Sequence, residues 1–313
     1  MIVLYVIIGL VMLVGGAELL VRGGSHVAIA AKVPILVVGL TLVAFGTSTP
    51  ELAVSVTAAN TPHGEMALAN VNGSNVANIL LVLGLAAVVR PLAVDRRLMR
   101  REVPSLLALQ LAVPIVCTDG VITRWEGAAL LMGGVVYNVW LLADAMAQRN
   151  AYVPDDDLDV DVKSINLPLD IAMLAGGIVI LLIGADFFVE GAEGLALWAG
   201  LSPWFIGLTV VAVGTSMPEL MTSVVASYKG EVELALGNAL GSNILNVALV
   251  LGISAMVNPI HIPEGGVDFD NFVAVGVALL LIPIVLNGRG ELARVHGVLM
   301  VAAYATYIAF IPR

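Results

Sequence analysis

The chain has 313 residues, of which 59% are hydrophobic and only 12% are charged, and its mean hydropathy is +1.00. This composition excludes a soluble globular protein, and apolar runs of about 20 residues, the length that crosses a bilayer core, recur throughout. The formal net charge of -10 gives no support to nucleic-acid binding, because five of the acidic residues lie in a single connection between residues 148 and 166.

The apolar runs predict ten membrane-spanning helices. The first run lacks a basic start and an obvious small-residue cleavage site, so we interpret it as a retained span and not as a signal peptide. The fourth is short and contains Gln110 and Pro114. The predicted spans are residues 2–28, 34–60, 65–89, 102–118, 124–147, 168–198, 203–227, 231–257, 270–287 and 291–311.

Lysine and arginine are unevenly distributed among the connections between these spans. If the N-terminus is extracytoplasmic, 12 of the 14 basic residues fall in cytoplasmic connections, where such an excess is expected, and only Arg124 and Arg313 fall outside. Both termini are then extracytoplasmic in a multi-pass protein of the plasma (inner) membrane. With five spans in each half, the sequence predicts an all-α integral membrane protein with ten transmembrane helices in two inverted five-helix repeats. These are residues 1–147 and 168–313, joined by an acidic cytoplasmic linker at 148–167.

The two halves share a sequence repeat at an offset of 168 residues. Residues 39–52 match residues 207–220 at 11 of 14 positions, and residues 69–85 match residues 237–253 at 9 of 17. Each copy contains the motif Gly-Thr-Ser-x-Pro-Glu followed by Gly-Ser-Asn-x-x-Asn. Two copies of one intramembrane module, each with one glutamate, predict a site that both halves build together.

The first motif places a proline and a carboxylate inside an apolar helix. Pro50 has no N–H, so the carbonyl of Gly46 loses its helical partner and the helix is expected to kink. Unpaired carbonyls at membrane depth are tolerated where they line a cavity or meet a cation. Ser74 and Asn78, four residues apart, add a hydroxyl and an amide on one helix face. The motifs therefore predict an oxygen-only ligand set for a hard cation such as Ca²⁺ or Na⁺.

The glutamates Glu51 and Glu219 carry most of this functional argument. A membrane-buried carboxylate costs about 2.5 to 3.5 kcal/mol on insertion scales, and no lysine or arginine lies in spans two, three, seven or eight. Two such groups need a cation or a proton; a purely structural, protonated pair is the alternative. Asn70 and Asn238, by contrast, are explained more simply as hydrogen-bond partners between helices.

The remaining polar residues give weaker signals. Glu18 lies four residues before Arg22 and is expected to pair with it. Asp186 is the counterpart of Glu18 in the second repeat, and two glutamates lie near it on the sixth span. These acidic residues either attract cations or contribute to helix packing. The aspartates of the linker lack the spacing of an EF-hand, which favours a solvated linker over a weak calcium site. The four histidines, predicted at loops or span ends, and the single Cys117 form no metal-ligand spacing.

The four motifs at residues 46–51, 73–78, 214–219 and 241–246 resemble the paired alpha repeats of sodium/calcium exchangers in the cation/calcium antiporter superfamily. The resemblance covers nearly the whole chain. It implies exchange of Ca²⁺ for Na⁺ at one central cluster of sites, alternately open to either side, with spans one and six sliding as a pair against the other eight. The ion ligands that it implies are Glu51, Glu219, Ser48, Ser74, Ser216, Ser242, Asn78, Asn246 and the backbone oxygens of Ala44, Thr47, Ala212 and Thr215.

One residue departs from the pattern of that family. Asn246 stands where well-known exchangers carry an aspartate, so the third acidic group is absent. Two carboxylates balance one Ca²⁺ or two Na⁺, which leaves a third Na⁺ less well compensated. The second glutamate typical of the proton-coupled branch is also absent, so the sequence favours Na⁺ over H⁺ as the counter-ion and keeps a Ca²⁺/H⁺ antiporter as the alternative.

Other functional classes fit the residues less well. An intramembrane hydrolase is not supported, because no histidine accompanies Ser48 or Ser216, so we predict that the chain is not an enzyme. A cation channel could use two glutamates, but its selectivity rings usually come from symmetric oligomers, whereas an internal inverted repeat favours alternating access. The predicted partners are Ca²⁺, Na⁺ and the lipid bilayer, with no cofactor, no nucleic acid and a functional monomer.

The predicted topology can be tested by cysteine labelling. A cysteine introduced at Asp157, in a variant whose Cys117 is replaced by serine, is expected to react with a membrane-impermeant thiol reagent only from the cytoplasmic side. Labelling from outside intact cells would show that the orientation is reversed.

Overall fold

A computed structural model describes residues 2–94, 98–149, 165–200, 212–263, 268–287 and 290–310, which are almost entirely helical. Its helices are α1 (Ile2–Ala31), α2 (Ile35–Thr47 and Thr49–Ala59), α3 (Glu65–Val89), α4 (Leu98–Glu102 and Val103–Val116), α5 (Arg124–Ala147), α6 (Leu167–Trp198), α7 (Ala212–Thr215 and Met217–Lys229), α8 (Val232–Val257), α9 (Asp268–Asn287) and α10 (Arg294–Phe310).

Several of these helices have the length and composition of membrane spans. Five qualify directly, α1, α3, α5, α6 and α8, and the bent α2 makes a sixth if its two parts form one span. Every predicted span overlaps a helix, although residues 203–211 of the seventh and 150–164 of the linker lie outside the described residues. The predicted start of the tenth span is wrong, because Glu291 and Leu292 form a strand and the helix begins only at Arg294.

The helices α2 and α7 are broken at equivalent serines. Ser48 has φ −82° and ψ 9°, and Ser216 has φ −88° and ψ 7°, which are not helical values. A proline follows two residues later in both cases, so the amide that would continue the hydrogen-bond ladder is missing. The two parts of α2 differ in direction by 47°. The kink expected from Pro50 is confirmed.

The helices α3 and α8 form the centre of the molecule. In the most apolar 18-residue stretch of each, 78% of the residues are buried, compared with 22% in α1 and 28% in α5 and α6. Both change from α-helical to wider π-helical turns at equivalent asparagines, over Asn78–Leu83 and Asn246–Leu251. Such wide turns are frequent at functional sites.

Two short antiparallel ribbons join the halves reciprocally. Strand β1 (Leu92–Ala93) pairs with β4 (Glu291–Leu292), and β2 (Val121–Ile122) pairs with β3 (Ile260–His261). The offset of 168 residues places β1 on β3. The strand after α3 therefore pairs with the strand before α10, and the strand after α8 pairs with the strand before α5, so each ribbon contains one strand from each half.

The helices α1 and α6 pack antiparallel along their whole lengths at glycine contacts. A Cβ atom on Gly9, Gly16 or Gly23 would lie 2.5–2.8 Å from backbone atoms of residues 188, 181 and 170, respectively. The residue numbers on α6 decrease as those on α1 increase, so the two helices run in opposite directions. Glycine at these points lets the two backbones approach closely. The contact glycines recur every seven residues on both helices: Gly9, Gly16 and Gly23 on α1, and Gly177, Gly184 and Gly191 on α6.

One expectation for α1 is corrected by its contacts. Glu18 forms its ion pair with Lys229 at the end of α7 and not with Arg22, because α1 packs beside α7. His26 lies near the end of α1, which agrees with its prediction as a residue of a loop or a span end. Its ring nitrogen Nδ1 contacts Asp170 Oδ1 on α6 at 2.7 Å, and both side chains are buried.

Adjacent glycines of α1 provide a test of this packing. Gly16→Ala is expected to lower the thermal unfolding temperature, because the new Cβ would lie 2.8 Å from the amide nitrogen of Leu181 and the helices would have to separate. Gly15→Ala is the matched control, because no neighbouring helix in the described structure comes within 4 Å of its Cβ position and alanine favours the helix. Equal unfolding temperatures for the two variants would contradict the close approach of α1 and α6.

Candidate cation site

Glu51 and Glu219 lie at equivalent places just after the two helix breaks. Each is in the first turn of the second part of its helix, Thr49–Ala59 or Met217–Lys229. The exposed fractions of their side chains are 1% and 0%. The N-terminus of a helix carries partial positive charge from unpaired amides, which favours a carboxylate there. The breaks therefore create local sites for negative charge within an apolar region.

The two carboxylates are held by serines of the opposite half. Ser48 Oγ donates to Glu219 Oε1 at 3.1 Å, and Ser216 Oγ donates to Glu51 Oε1 at 3.5 Å. The second oxygens of the two carboxylates, Oε2 in both residues, are buried and have no hydrogen-bond partner among the described residues. One oxygen of each carboxylate is thus fixed and the other is left available.

The helices α3 and α8 add further oxygens. Ser74 lies beside Glu51, and Ser242 lies beside Glu219. Asn78 and Asn246 follow these serines by one helical turn on the same face. Within the described chain, buried oxygens that accept and donate no hydrogen bond occur in five of the predicted ligands: Oε2 of Glu51 and Glu219, Oδ1 of Asn78 and Asn246, and Oγ of Ser242.

This arrangement fits a hard cation. Buried polar atoms without partners are rare in proteins and destabilising, so a cluster of them requires an explanation. Carboxylate, amide and hydroxyl oxygens are the ligands of Ca²⁺ and Na⁺, and Ca²⁺ accepts six to eight of them with loose geometry. The four ion pairs found among the described residues do not include Glu51 or Glu219, so these pairs supply no positive charge to either carboxylate.

Asn70 and Asn238 tie the broken helices to the central ones. Asn70 Nδ2 donates to Ser55 Oγ at 2.9 Å and to the carbonyl of Glu51 at 3.4 Å. Asn238 Nδ2 makes the equivalent bonds, to Ser223 Oγ at 2.9 Å and to the carbonyl of Glu219 at 3.1 Å. The interpretation of both asparagines as hydrogen-bond partners between helices is confirmed.

The remaining predicted ligands lie on the short helices before the breaks. The hydroxyl of Thr47 donates to Asn238 Oδ1 at 3.0 Å, so this side chain supports the scaffold. The carbonyl of Ala44 accepts from the Ser48 amide at 3.0 Å and from Thr47 Oγ1 at 3.3 Å. Ala212 and Thr215 lie in the equivalent helical segment of the second half, which is described from Ala212 to Thr215.

Three groups of residues near the site were not predicted. Ser55 and Ser223 follow the glutamates by one turn, and their identity at the 168-residue offset is a signal in the sequence. Asn75 and Asn243 are part of the repeated motif, and each donates to the other's backbone carbonyl, at 3.5 and 3.3 Å. Gln110 on α4 accepts a hydrogen bond from Asn75 at 2.8 Å, a contact that no repeat indicates.

Comparison with known proteins identifies the family. The model of the sodium/calcium exchanger protein family matches residues 1–143 and 169–311. This chain belongs to the sodium/calcium exchanger family. A protein named as an antiporter, CaxA of Alkalimonas amylolytica, is 36% identical over 312 residues, which cover 97% of this chain and 96% of that protein. The sodium/calcium exchanger MaX1 of Methanosarcina acetivorans is 30% identical over 339 residues, covering 97% of each.

A solved structure agrees with this membership. The structure of the sodium-calcium exchanger NCX_Mj, soaked with Na⁺ and Ca²⁺, matches this chain with a TM-score of 0.85 and 29% sequence identity, covering 100% of this chain and 99% of that one. The resemblance inferred from the repeated motifs is confirmed. The helical membrane architecture of this exchanger-family chain is confirmed as well, and the family is one of cation transporters.

Neutralising either carboxylate is expected to make the protein more stable than the wild type in the absence of cations. The same change is expected to remove the stabilisation that Ca²⁺ gives to the wild type. In cation-free buffer, Glu51→Gln or Glu219→Gln should raise the thermal unfolding temperature, because one of two buried, uncompensated charges is removed. Added Ca²⁺ should stabilise the wild type by mass action but not these variants. Glu65→Gln, at the start of α3, is the control and should respond to Ca²⁺ like the wild type. A normal Ca²⁺ response of both site variants would contradict a shared site.

Proposed function

We propose that this exchanger-family chain transports Ca²⁺ in exchange for Na⁺ by alternating access at the site that contains Glu51 and Glu219. The observation that supports this most directly is the reciprocal pairing of each carboxylate with a serine of the other half, which leaves one oxygen of each without a hydrogen-bond partner among the described residues. A site assembled from both halves is suited to open towards either side when the halves change their relative position.

The proposed ligands divide into charged and neutral groups. Glu51 and Glu219 supply the two negative charges, which balance one Ca²⁺ or two Na⁺. Neutral oxygens complete the coordination of either ion and need no change of protonation. They come from Ser48, Ser74, Ser216, Ser242, Asn78 and Asn246 and from the backbones of Ala44, Thr47, Ala212 and Thr215. Transport then requires no cofactor beyond the transported ions.

Sodium is the counter-ion that we favour. Equal charge balance by one Ca²⁺ or two Na⁺ lets the same site hold either ion as a neutral complex, which is the condition for crossing an apolar barrier. The names of MaX1 and NCX_Mj, both sodium/calcium exchangers, support the same choice. A Ca²⁺/H⁺ antiporter is the alternative, in which protons replace Na⁺ on the two carboxylates.

An inverted ten-span topology supports alternating access in this proposal. The helices α1 and α6 correspond at the 168-residue offset and run antiparallel, as equivalent helices of inverted repeats would. The reciprocal ribbons are consistent with the same pseudo-twofold relation. The α1–α6 pair packs through backbone contacts and leaves much of its surface towards lipid, so it can move as one unit. We place both termini outside the cytoplasm in the plasma membrane and the linker inside, with a monomer as the functional form.

Calcium flux into proteoliposomes tests the proposal. Sodium-loaded vesicles containing the wild type should take up Ca²⁺, and Glu51→Gln or Glu219→Gln should abolish uptake, because the site is too dry for water to replace the lost charge. Glu65→Gln is again the control and should retain uptake. Uptake driven by a pH gradient without Na⁺ would favour the H⁺ alternative, and uptake with no counter-ion inside would indicate a channel. Wild-type rates in either site variant would exclude the two-carboxylate mechanism.

A further inference from the structure

Three buried amide side chains form a hydrogen-bonded chain that ends at the cation site. Asn246 Nδ2 donates to Asn75 Oδ1 at 3.1 Å, and Asn75 Nδ2 donates to Gln110 Oε1 at 2.8 Å. These residues lie on α8, α3 and α4, and none of their side chains is more than 1% exposed. We refer to Gln110, Asn75 and Asn246 as the amide chain.

A backbone group sets the direction of the amide chain. Asn75 Nδ2 also lies 3.5 Å from the carbonyl oxygen of Asn243, which can accept a hydrogen bond but not donate one. The NH₂ group of Asn75 therefore faces Asn243 and Gln110, and its oxygen faces position 246. That position must supply a donor. Asn246 does so, and its own Oδ1 is left without a partner in the part of the chain that the structure describes.

We propose that Gln110 and Asn75 are positioning residues that keep Oδ1 of Asn246, and not its NH₂ group, facing the transported cation. This inference rests on the proposed function. An amide oxygen is a ligand for a hard cation, whereas an NH₂ group only donates hydrogen bonds. If Gln110 could not accept, the NH₂ group of Asn75 would keep only its longer bond to the carbonyl of Asn243, and the side-chain amides of Asn75 and Asn246 could rotate together and exchange their oxygen and NH₂ positions.

The amide chain also explains why position 246 is not acidic. A charged aspartate has no proton to donate to Asn75 Oδ1, so two oxygens would face each other without a hydrogen bond in a buried place. Asn246 avoids this and still offers an oxygen to the site. Asn75 and Gln110 thus favour a neutral ligand at position 246.

The second half has no equivalent arrangement among the described residues. Asn243, the repeat counterpart of Asn75, has a buried Oδ1 that accepts no hydrogen bond. The helix α9, which takes the place of α4 in that half, has only apolar residues from 277 to 282. The amide chain therefore acts on Asn246 and not on Asn78, which makes the two halves of a symmetric site unequal.

A second buried amide pair supplies a matched control. Asn72 Nδ2 on α3 donates to Asn271 Oδ1 on α9 at 2.6 Å, and both side chains are buried. Asn271→Leu removes the hydrogen-bond acceptor of Asn72, just as Gln110→Leu removes an acceptor of Asn75, and both of these asparagines lie on α3. The difference is that Asn72 has no hydrogen bond to a predicted ligand in the described structure, whereas Asn75 contacts Asn246.

The test measures the Ca²⁺ concentration that gives half-maximal uptake into sodium-loaded vesicles. Gln110→Leu should raise this concentration about fivefold, the effect of losing one buried hydrogen bond, and should change the maximal rate less. Gln110→Met, which keeps the length of the side chain, should give the same shift if the acceptor and not the packing matters. Asn271→Leu should leave the half-saturating concentration unchanged.

A double variant separates positioning from general destabilisation. If Gln110 acts through Asn246, adding Gln110→Leu to Asn246→Ala should cause no further rise in the half-saturating concentration. A full additional rise, or an equal rise in Asn271→Leu, would overturn the proposal. If the wild type shows no sodium-dependent uptake, the proposed function fails. The Ca²⁺-induced shift in thermal unfolding in detergent then still tests the amide chain, because it should be smaller in Gln110→Leu than in Asn271→Leu.

Discussion

The fold depends on one constraint: two carboxylates are buried within apolar helices, and the described residues form no ion pair with either of them. Glu51 and Glu219 are stabilised instead by the start of a helix and by one serine hydroxyl each. These dipoles are too weak to replace full hydration of two charges. A cation that meets both carboxylates would supply the missing compensation, and this is why we propose that the site takes up an ion from solution.

This constraint explains why the helices that carry the glutamates are broken. An unbroken helix pairs its own amides and offers no partial positive charge in its middle. The breaks at Ser48 and Ser216 create such charge where the glutamates lie, and they also free each serine to reach across to the other half. Asn70 and Asn238 then bind the carbonyls next to the breaks, which keeps the broken helices attached to α3 and α8.

The sequence predicted two kinds of feature: those that depend on neighbouring residues in the chain, and those that occur in both copies of the repeat. The repeat located both glutamates, the kink followed from Pro50, and the interhelical role of Asn70 and Asn238 followed from polarity in an apolar helix. The partner of Glu18 was not predictable from spacing, because the rotation of α1 against α7 decides that Lys229 is nearer than Arg22. The burial of His26 was not predictable from spacing either, because it depends on the packing of α1 against α6. The two-residue strands are too short to produce any alternating pattern.

The least predictable residue is also the one that makes the site unsymmetric. Gln110 has no glutamine at the equivalent position of the second repeat, and it lies on a short helix without a repeated motif. Only the packing of the helices therefore reveals its contact with Asn75. Duplication of a module can give two similar carboxylates and two similar asparagines, but it cannot by itself distinguish the environments of Asn78 and Asn246. Distinction requires a residue outside the repeat. In the exchange that we propose, a neutral, oriented oxygen at position 246 keeps the negative charge of the cluster at the value set by the two glutamates, and this value matches one Ca²⁺ or two Na⁺.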